Sequence, residues 1–274
     1  MRRNLRGLLG ALLLAVILSA CGAADSPEPT PAPSRVAALP TSTRAPTKPP
    51  SATPTERRAP TVTAIPSPTA IPWAVCSPLA EHSLADLPNI VASAYNPPPM
   101  GRDERHQGVD FAYYWYGGRE SIIGMGVNAA LPGRVALAQA NRVPYGNTVI
   151  IETPLTLLDP RWLEGLNPQP GDSLYTLYAH LRDLPLVQPG ELVTCGQPLG
   201  VVGDTGGEAT GFEIVHLHFE MRFGPANQSF ERMVFYDTRA TAQEMETYRR
   251  WRMSGEFRHF DPMVLVLQAL SIEP

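Results

Sequence analysis

Two histidines, a glutamate and an arginine alternate with apolar residues along 215–223, Val-His-Leu-His-Phe-Glu-Met-Arg-Phe. In extended chain successive side chains point to opposite faces, so Val215, Leu217, Phe219, Met221 and Phe223 share one face and His216, His218, Glu220 and Arg222 the other. Two imidazoles on one face suit a metal site, because neutral imidazole is the commonest metal ligand. A solvated polar face gives the same pattern. The second candidate is His106-Gln-Gly-Val-Asp110, where residues four apart share a face of an extended chain and can converge on one ion; ordinary surface pairs occur at this spacing too. The third is His180 in Leu177-Tyr-Ala-His-Leu181, at the end of an apolar run, a position that plain core histidines also occupy. Four of the six histidines therefore fall in three strand-associated motifs with an aspartate.

The segments around these motifs read as strands. Residues 133–138, 148–152, 174–180, 191–194, 199–202 and 215–223 are short branched or alternating apolar runs separated by Pro-Gly and Gly-rich punctuation. One convincing helix follows: Thr241-Ala-Gln-Glu244 has the capping-box pattern, with Met245, Tyr248 and Trp251 at helical spacing. Many short strands with a peripheral helix imply an antiparallel sandwich or barrel. The glycines of 203–207 are read as tight turns, since no Gly-Lys-Ser/Thr follows and no helix starts there.

The N-terminal quarter differs in kind. Residues 1–6 are basic and 7–17 apolar, too short to span a bilayer, and Leu18-Ser-Ala-Cys21 ends the run in small residues before a cysteine. That is an export signal, 1–20. Its end resembles the bacterial lipobox, which would make Cys21 a lipidated membrane anchor and place the chain in the cell envelope, outside the cytoplasm; a plain secretory signal is the alternative. Residues 21–72 are Pro-, Thr-, Ser- and Ala-rich and cannot bury enough apolar surface to order themselves, so they read as an extended linker, a mere spacer or a glycosylated stalk. The folded domain is expected over 73–274. The net charge of −4 becomes more negative once Arg2, Arg3 and Arg6 leave with the signal, and no Lys/Arg block remains, which excludes the electrostatic footprint of a nucleic-acid binder. With Cys21 lipidated, Cys76 and Cys195 remain as a disulfide pair or as two separate buried thiols.

Taken in order, His-x-x-x-Asp, Tyr-Ala-His-Leu, Gly203-Asp-Thr-Gly206 and His-Leu-His-Phe-Glu resemble the lysostaphin-type (LytM) zinc endopeptidases, which cut peptide bonds in bacterial peptidoglycan. The resemblance spans about 97–265 and takes in Gly133-Arg-Val, Tyr145-Gly-Asn-Thr-Val-Ile-Ile151 and Gly196-Gln-Pro-Leu-Gly200. It implies an all-β, antiparallel barrel-sandwich hybrid (duplicated hybrid motif) with a peripheral C-terminal helix. It implies His106, Asp110 and His218 as ligands of one Zn2+ and His180 and His216 as the acid/base pair, a division that spacing alone does not give. Three protein ligands with a fourth position for water is the catalytic zinc arrangement. A two-His-one-carboxylate iron site is argued against by the Tyr-Ala-His and His-x-His context. Glu220 either orients a ligand imidazole from outside or is a solvated carboxylate. Implied partners are wall peptides, the membrane through Cys21, and divisome or wall-hydrolase regulators. The rival reading is a non-catalytic wall-binding or amidase-activating module.

Three stretches depart from the family pattern. Residues 152–173 replace a tight hairpin, and Trp162 within them either walls a groove or packs on the outside. Residues 212–215 separate Gly211 from His216 where the family has one proline, and 116–127 lengthen the segment after Asp110.

Overall fold

The computed structural model describes residues 74–207, 215–235 and 237–272. The expected signal, Cys21 and the linker lie outside the described residues, as do 212–214 of the stretch ahead of His216. Ten strands form: β1 (Val91–Ser93), β2 (Val109–Phe111), β3 (Gly126–Asn128), β4 (Gly133–Arg142), β5 (Gly146–Pro154), β6 (Asp172–Leu181), β7 (Leu192–Val193), β8 (Pro198–Val201), β9 (Leu217–Pro225) and β10 (Arg258–Phe260). Eight of them make one antiparallel sheet in the order β1-β2-β9-β6-β5-β4-β7, with β10 also on β9, while β3 and β8 pair separately. The antiparallel all-β architecture expected from the sequence is present, but the large sheet is open and no barrel closes among the described residues. The six runs read as strands correspond to β4 through β9; β1, β2, β3 and β10 are three residues each, too short to show a period.

The alternation in β9 sets the architecture. Leu217, Phe219, Met221 and Phe223 enter the main core with Tyr178 and Phe111. The opposite face is not left to water. A second cluster, including Tyr145, Tyr175, Phe230, Tyr248, Trp251 and Phe257, covers it, and Glu220 and Arg222 are fully buried beneath. Sandwiched between two layers, β5 is buried along nearly its whole length, as expected for a strand with no solvent face.

Helix α1 (Ala242–Arg252) supplies much of that cover. The Thr241 hydroxyl accepts from the Glu244 amide (3.2 Å) and the Thr241 amide donates to the Glu244 carboxylate (2.9 Å), the reciprocal cap anticipated from the sequence. Tyr248 and Trp251 are buried by it. A second helix, α2 (Pro262–Ile272), was not anticipated. Its start is nevertheless signalled: the Asp261 carboxylate accepts from the Met263 amide (2.9 Å), and Pro262 occupies the first turn, where its missing N–H costs nothing.

Two of the open alternatives can be placed. Cys76 and Cys195 are bonded, with Cα atoms 5.6 Å apart and a separation of 119 positions in sequence; a loop that long corresponds to about 4–5 kcal/mol of unfolded-state entropy. Trp162 sits in a 3-10 turn (Pro160–Leu163), is 4% exposed, and packs in the core beside α2, where the Gln268 amide donates to the Glu164 carbonyl (2.8 Å). It walls neither cleft at the histidines. The large aromatic is thus consumed by packing. Trp162→Ala is expected to lower stability by about 3–5 kcal/mol through lost burial and the cavity left behind, with activity at low temperature unchanged; thermal denaturation and a rate assay on the same sample check it.

Candidate metal and catalytic centre

The sheet order brings the candidate residues together. β9 lies between β2 and β6, with Asp110 opposite His218 on one side and Ala179 opposite it on the other. His180 follows at the end of β6, and His216 precedes β9. His106 stands before β2 on a loop held to Asn96 by two backbone hydrogen bonds of 2.9 and 3.0 Å. Gly108 lets this loop lie flat on β9: a Cβ there would meet the Phe219 carbonyl at 2.5 Å and the Glu220 side chain at 2.9 Å.

Three atoms meet at the centre. His106 Nε2 is 3.0 Å from Asp110 Oδ1 and 3.0 Å from His218 Nδ1, which is itself 2.8 Å from the same carboxylate oxygen. The far nitrogens fix which atoms these are. His106 Nδ1 donates to the Ala94 carbonyl (3.0 Å), and His218 Nε2 donates to Glu220 Oε1 (2.9 Å). Neutral imidazoles held in those tautomers turn two nitrogen lone pairs toward one carboxylate oxygen, an arrangement of acceptors only, which requires a cation or a shared proton. These three residues satisfy the donor set of a metal site, with two nitrogens and one oxygen suiting a zinc-class ion. Without a cation the cluster holds a proton. Burial disfavours charge on His218, but its hydrogen bonds to Asp110 and Glu220 outweigh this and raise it to about 9. Burial likewise works against the Asp110 carboxylate, and the hydrogen bonds from His106 and His218 hold it well below the usual range.

His180 and His216 flank this centre, with ring centroids 4.5 Å apart. His180 Nδ1 donates to the Thr205 carbonyl (2.7 Å), leaving Nε2 as an acceptor. Burial, reinforced by the neighbouring His216 and His218, pushes its pKa down to about 3, so it is neutral near pH 7. The Gly203–Gly207 region is a turn, as its glycines suggest. Gly206 has φ +84° and lies so close to Gly146 that a Cβ would meet the Gly146 amide nitrogen at 2.4 Å; this fit aims the Thr205 carbonyl at His180. His216 is partly exposed, with Nε2 3.6 Å from Asp110 Oδ1.

Glu220 is not solvated. Oε1 accepts from His218, from the Tyr145 hydroxyl (2.7 Å) and from Arg252 Nη1 (3.1 Å), and Oε2 accepts from Arg222 Nε (2.8 Å) and Trp251 Nε1 (3.1 Å). Sequence reasoning named Glu220 and Arg222; it met Tyr145 and Thr205 only inside quoted motifs, without a role for either, and missed Arg252, which is joined to the site only by the fold. Clefts open on both sides of the centre. One of about 510 Å³ is lined by Arg105, His106, Tyr145, His180 and His218, and one of about 820 Å³ by Ser93, Asp110, Tyr113, Tyr114, Glu120 and His216. The lengthened 116–127 segment thus supplies a wall of the larger cleft.

A comparison with curated proteins gives no match. Among solved structures, the catalytic domain of the antimicrobial peptidase lysostaphin from Staphylococcus simulans is 27% identical over 55% of this chain and 90% of its own, with a TM-score of 0.35. A zinc-containing peptidase from Vibrio cholerae is 25% identical over 48% of this chain, with a TM-score of 0.32, and this chain spans 32% of its length. The catalytic domain of the prophage-encoded M23 protein EnpA from Enterococcus faecalis, in a mutant form, is 23% identical over 51% of this chain and 85% of its own, with a TM-score of 0.34. The sequence profile of Peptidase family M23 matches residues 104–230, a span containing His106, Asp110, His180, His216, His218 and Glu220. Over that span, the chain is similar to Peptidase family M23.

Proposed function

We propose that this chain is a zinc-dependent endopeptidase that hydrolyses peptide bonds of bacterial peptidoglycan, in a cross-bridge or stem peptide, during wall remodelling or division. One observation carries the reading: three lone pairs converge at 2.8–3.0 Å beside two further histidines, in a groove open on both sides. Zinc held by His106, Asp110 and His218 would polarise the scissile carbonyl and lower the pKa of a bound water toward about 7. The chain's own residues supply the rest. His180, neutral and oriented by Thr205, presents Nε2 to take up a proton, and His216 beside it is placed to donate to the oxyanion or the departing amine. The two clefts accept extended peptide on either side of the cut bond. Such a substrate lies outside the cytoplasm, which agrees with an exported chain held to the membrane through Cys21.

The complete ligand set supports an enzyme over a non-catalytic wall-binding module. The test is release of new amino groups from purified peptidoglycan by the full chain, with Asp110→Ala as control. Release by the native chain alone is expected, and the freed residue names the bond. No release by a zinc-loaded native chain, across walls of different cross-link chemistry, would leave the binding module as the better account.

A further inference from the structure

His106 and His218 reach the centre from different parts of the chain, and one of them stands on a loop. Something must hold that loop in place against β9. The contacts across the gap run through α1, which lies beyond the span matched by the family profile. Arg252, in the last turn of α1, donates from Nε to Asp103 Oδ1 (2.7 Å) and from Nη2 to the Asp103 carbonyl (3.4 Å); Asp103 is three residues before His106. Its Nη1 donates to Glu220 Oε1 (3.1 Å), the atom that also accepts from His218, and to the Tyr145 hydroxyl (3.2 Å). One turn earlier on the same face, the Tyr248 hydroxyl donates to Asp103 Oδ2 (2.8 Å).

We propose that Arg252 is a positioning residue for the metal centre. By clamping Asp103 on the His106 loop and Glu220 behind His218, it sets the separation of the two ligand imidazoles, so α1 is part of the site and not merely cover for the sheet. This rests on the reading of His106, Asp110 and His218 as metal ligands. The geometry is one that a guanidinium provides and an ammonium does not: a rigid planar fork reaches two carboxylates and a hydroxyl in fixed directions. The side chain is 9% exposed, so water cannot take over those contacts. Without the guanidinium, Asp103 and Glu220 would face each other across the gap with no cation between them. The loop would then lose its tie to β9, at a point one hydrogen bond from a ligand. Substitutions at such outer partners typically weaken metal binding or activity by about 10–100-fold.

The experiment measures zinc affinity of the full chain by competition with a chelating indicator, well below the unfolding temperature, for native, Arg252→Lys and Arg250→Ala forms. Arg250 is the control because it lies on the same helix and pairs with Glu256 and Gln228, away from the ligands. Losing it removes structural contacts of the same kind. The expected result is zinc affinity reduced about 10–100-fold in Arg252→Lys and within about twofold of native in Arg250→Ala, whatever either does to the melting temperature. If Arg252→Lys does not fold, Asp103→Asn removes the other end of the clamp without touching the helix, and the same loss is expected. Native-like affinity in Arg252→Lys, or an equal loss in Arg250→Ala, overturns the proposal. Failure of the native chain to bind zinc overturns the metal reading itself, and this inference with it. Because the readout is metal affinity, failure to cleave peptidoglycan bears on the proposed function alone.

Discussion

His218→Ala is expected to abolish both zinc binding and peptide cleavage, whereas His180→Ala abolishes cleavage and leaves zinc in place. The two histidines sit close together, with ring centroids 5.9 Å apart, yet their surroundings differ in the way the two proposed tasks require. The Nδ1 lone pair of His218 faces Asp110 and His106, and removing it leaves one imidazole and one carboxylate, too few to hold a catalytic metal in place. His180 shares no such contact. Its Nδ1 is committed to the Thr205 carbonyl, and burial keeps it neutral with a pKa near 3, so what it offers is an acceptor nitrogen facing the cleft. Loss of an acid/base group of this type typically lowers turnover by about 10²–10⁴-fold. Metal content by atomic absorption, together with kcat on a defined wall peptide, separates the cases. Loss of zinc in His180→Ala would make that residue a ligand and break the assignment.

The difference between these histidines was not written in their spacing. Alternation along 215–223 placed His216, His218, Glu220 and Arg222 on one face, which the structure shows, but the same alternation describes a strand facing water. What it cannot convey is that α1 and the residues after it, some thirty positions later, cover that face and turn Glu220 and Arg222 into a fully buried pair. The proposed ligand and acid/base roles rest on the family resemblance, because a histidine's task depends on what its second nitrogen touches: Ala94 for His106, Glu220 for His218, Thr205 for His180. The long strands were legible because periodicity needs several residues to declare itself. β2, which carries Asp110, has three, and its place beside β9 follows from pairing and not from pattern. The second helix was missed through its composition. Its Met-Val-Leu-Val-Leu run reads as strand, although Asp261-Pro262 ahead of it is a helix start.

Glu220→Gln is expected to unfold the metal-free chain at markedly lower temperature, by about 3–5 kcal/mol of stability. For a domain of this size each kcal/mol corresponds to roughly 2–4 °C, so the melting temperature should fall by about 6–20 °C. The cause is charge and donor count, not volume, since glutamine has nearly the same shape. Glu220 is wholly buried, and both oxygens accept: Oε1 from His218, Tyr145 and Arg252, and Oε2 from Arg222 and Trp251. A carboxamide replaces one acceptor with an NH2 group, and either orientation sets donors against donors while leaving two buried guanidinium groups without a full counter-charge. Using metal-free protein excludes the separate stabilisation that a bound ion confers on the native state. Adding Arg222→Met should recover part of the loss, because removing both members of a buried pair costs less than orphaning one. A Glu220→Gln form within about 1 kcal/mol of native would mean that water or neighbouring groups already share the charge. The acceptor network would then be far less important to the domain than its burial and hydrogen bonds indicate.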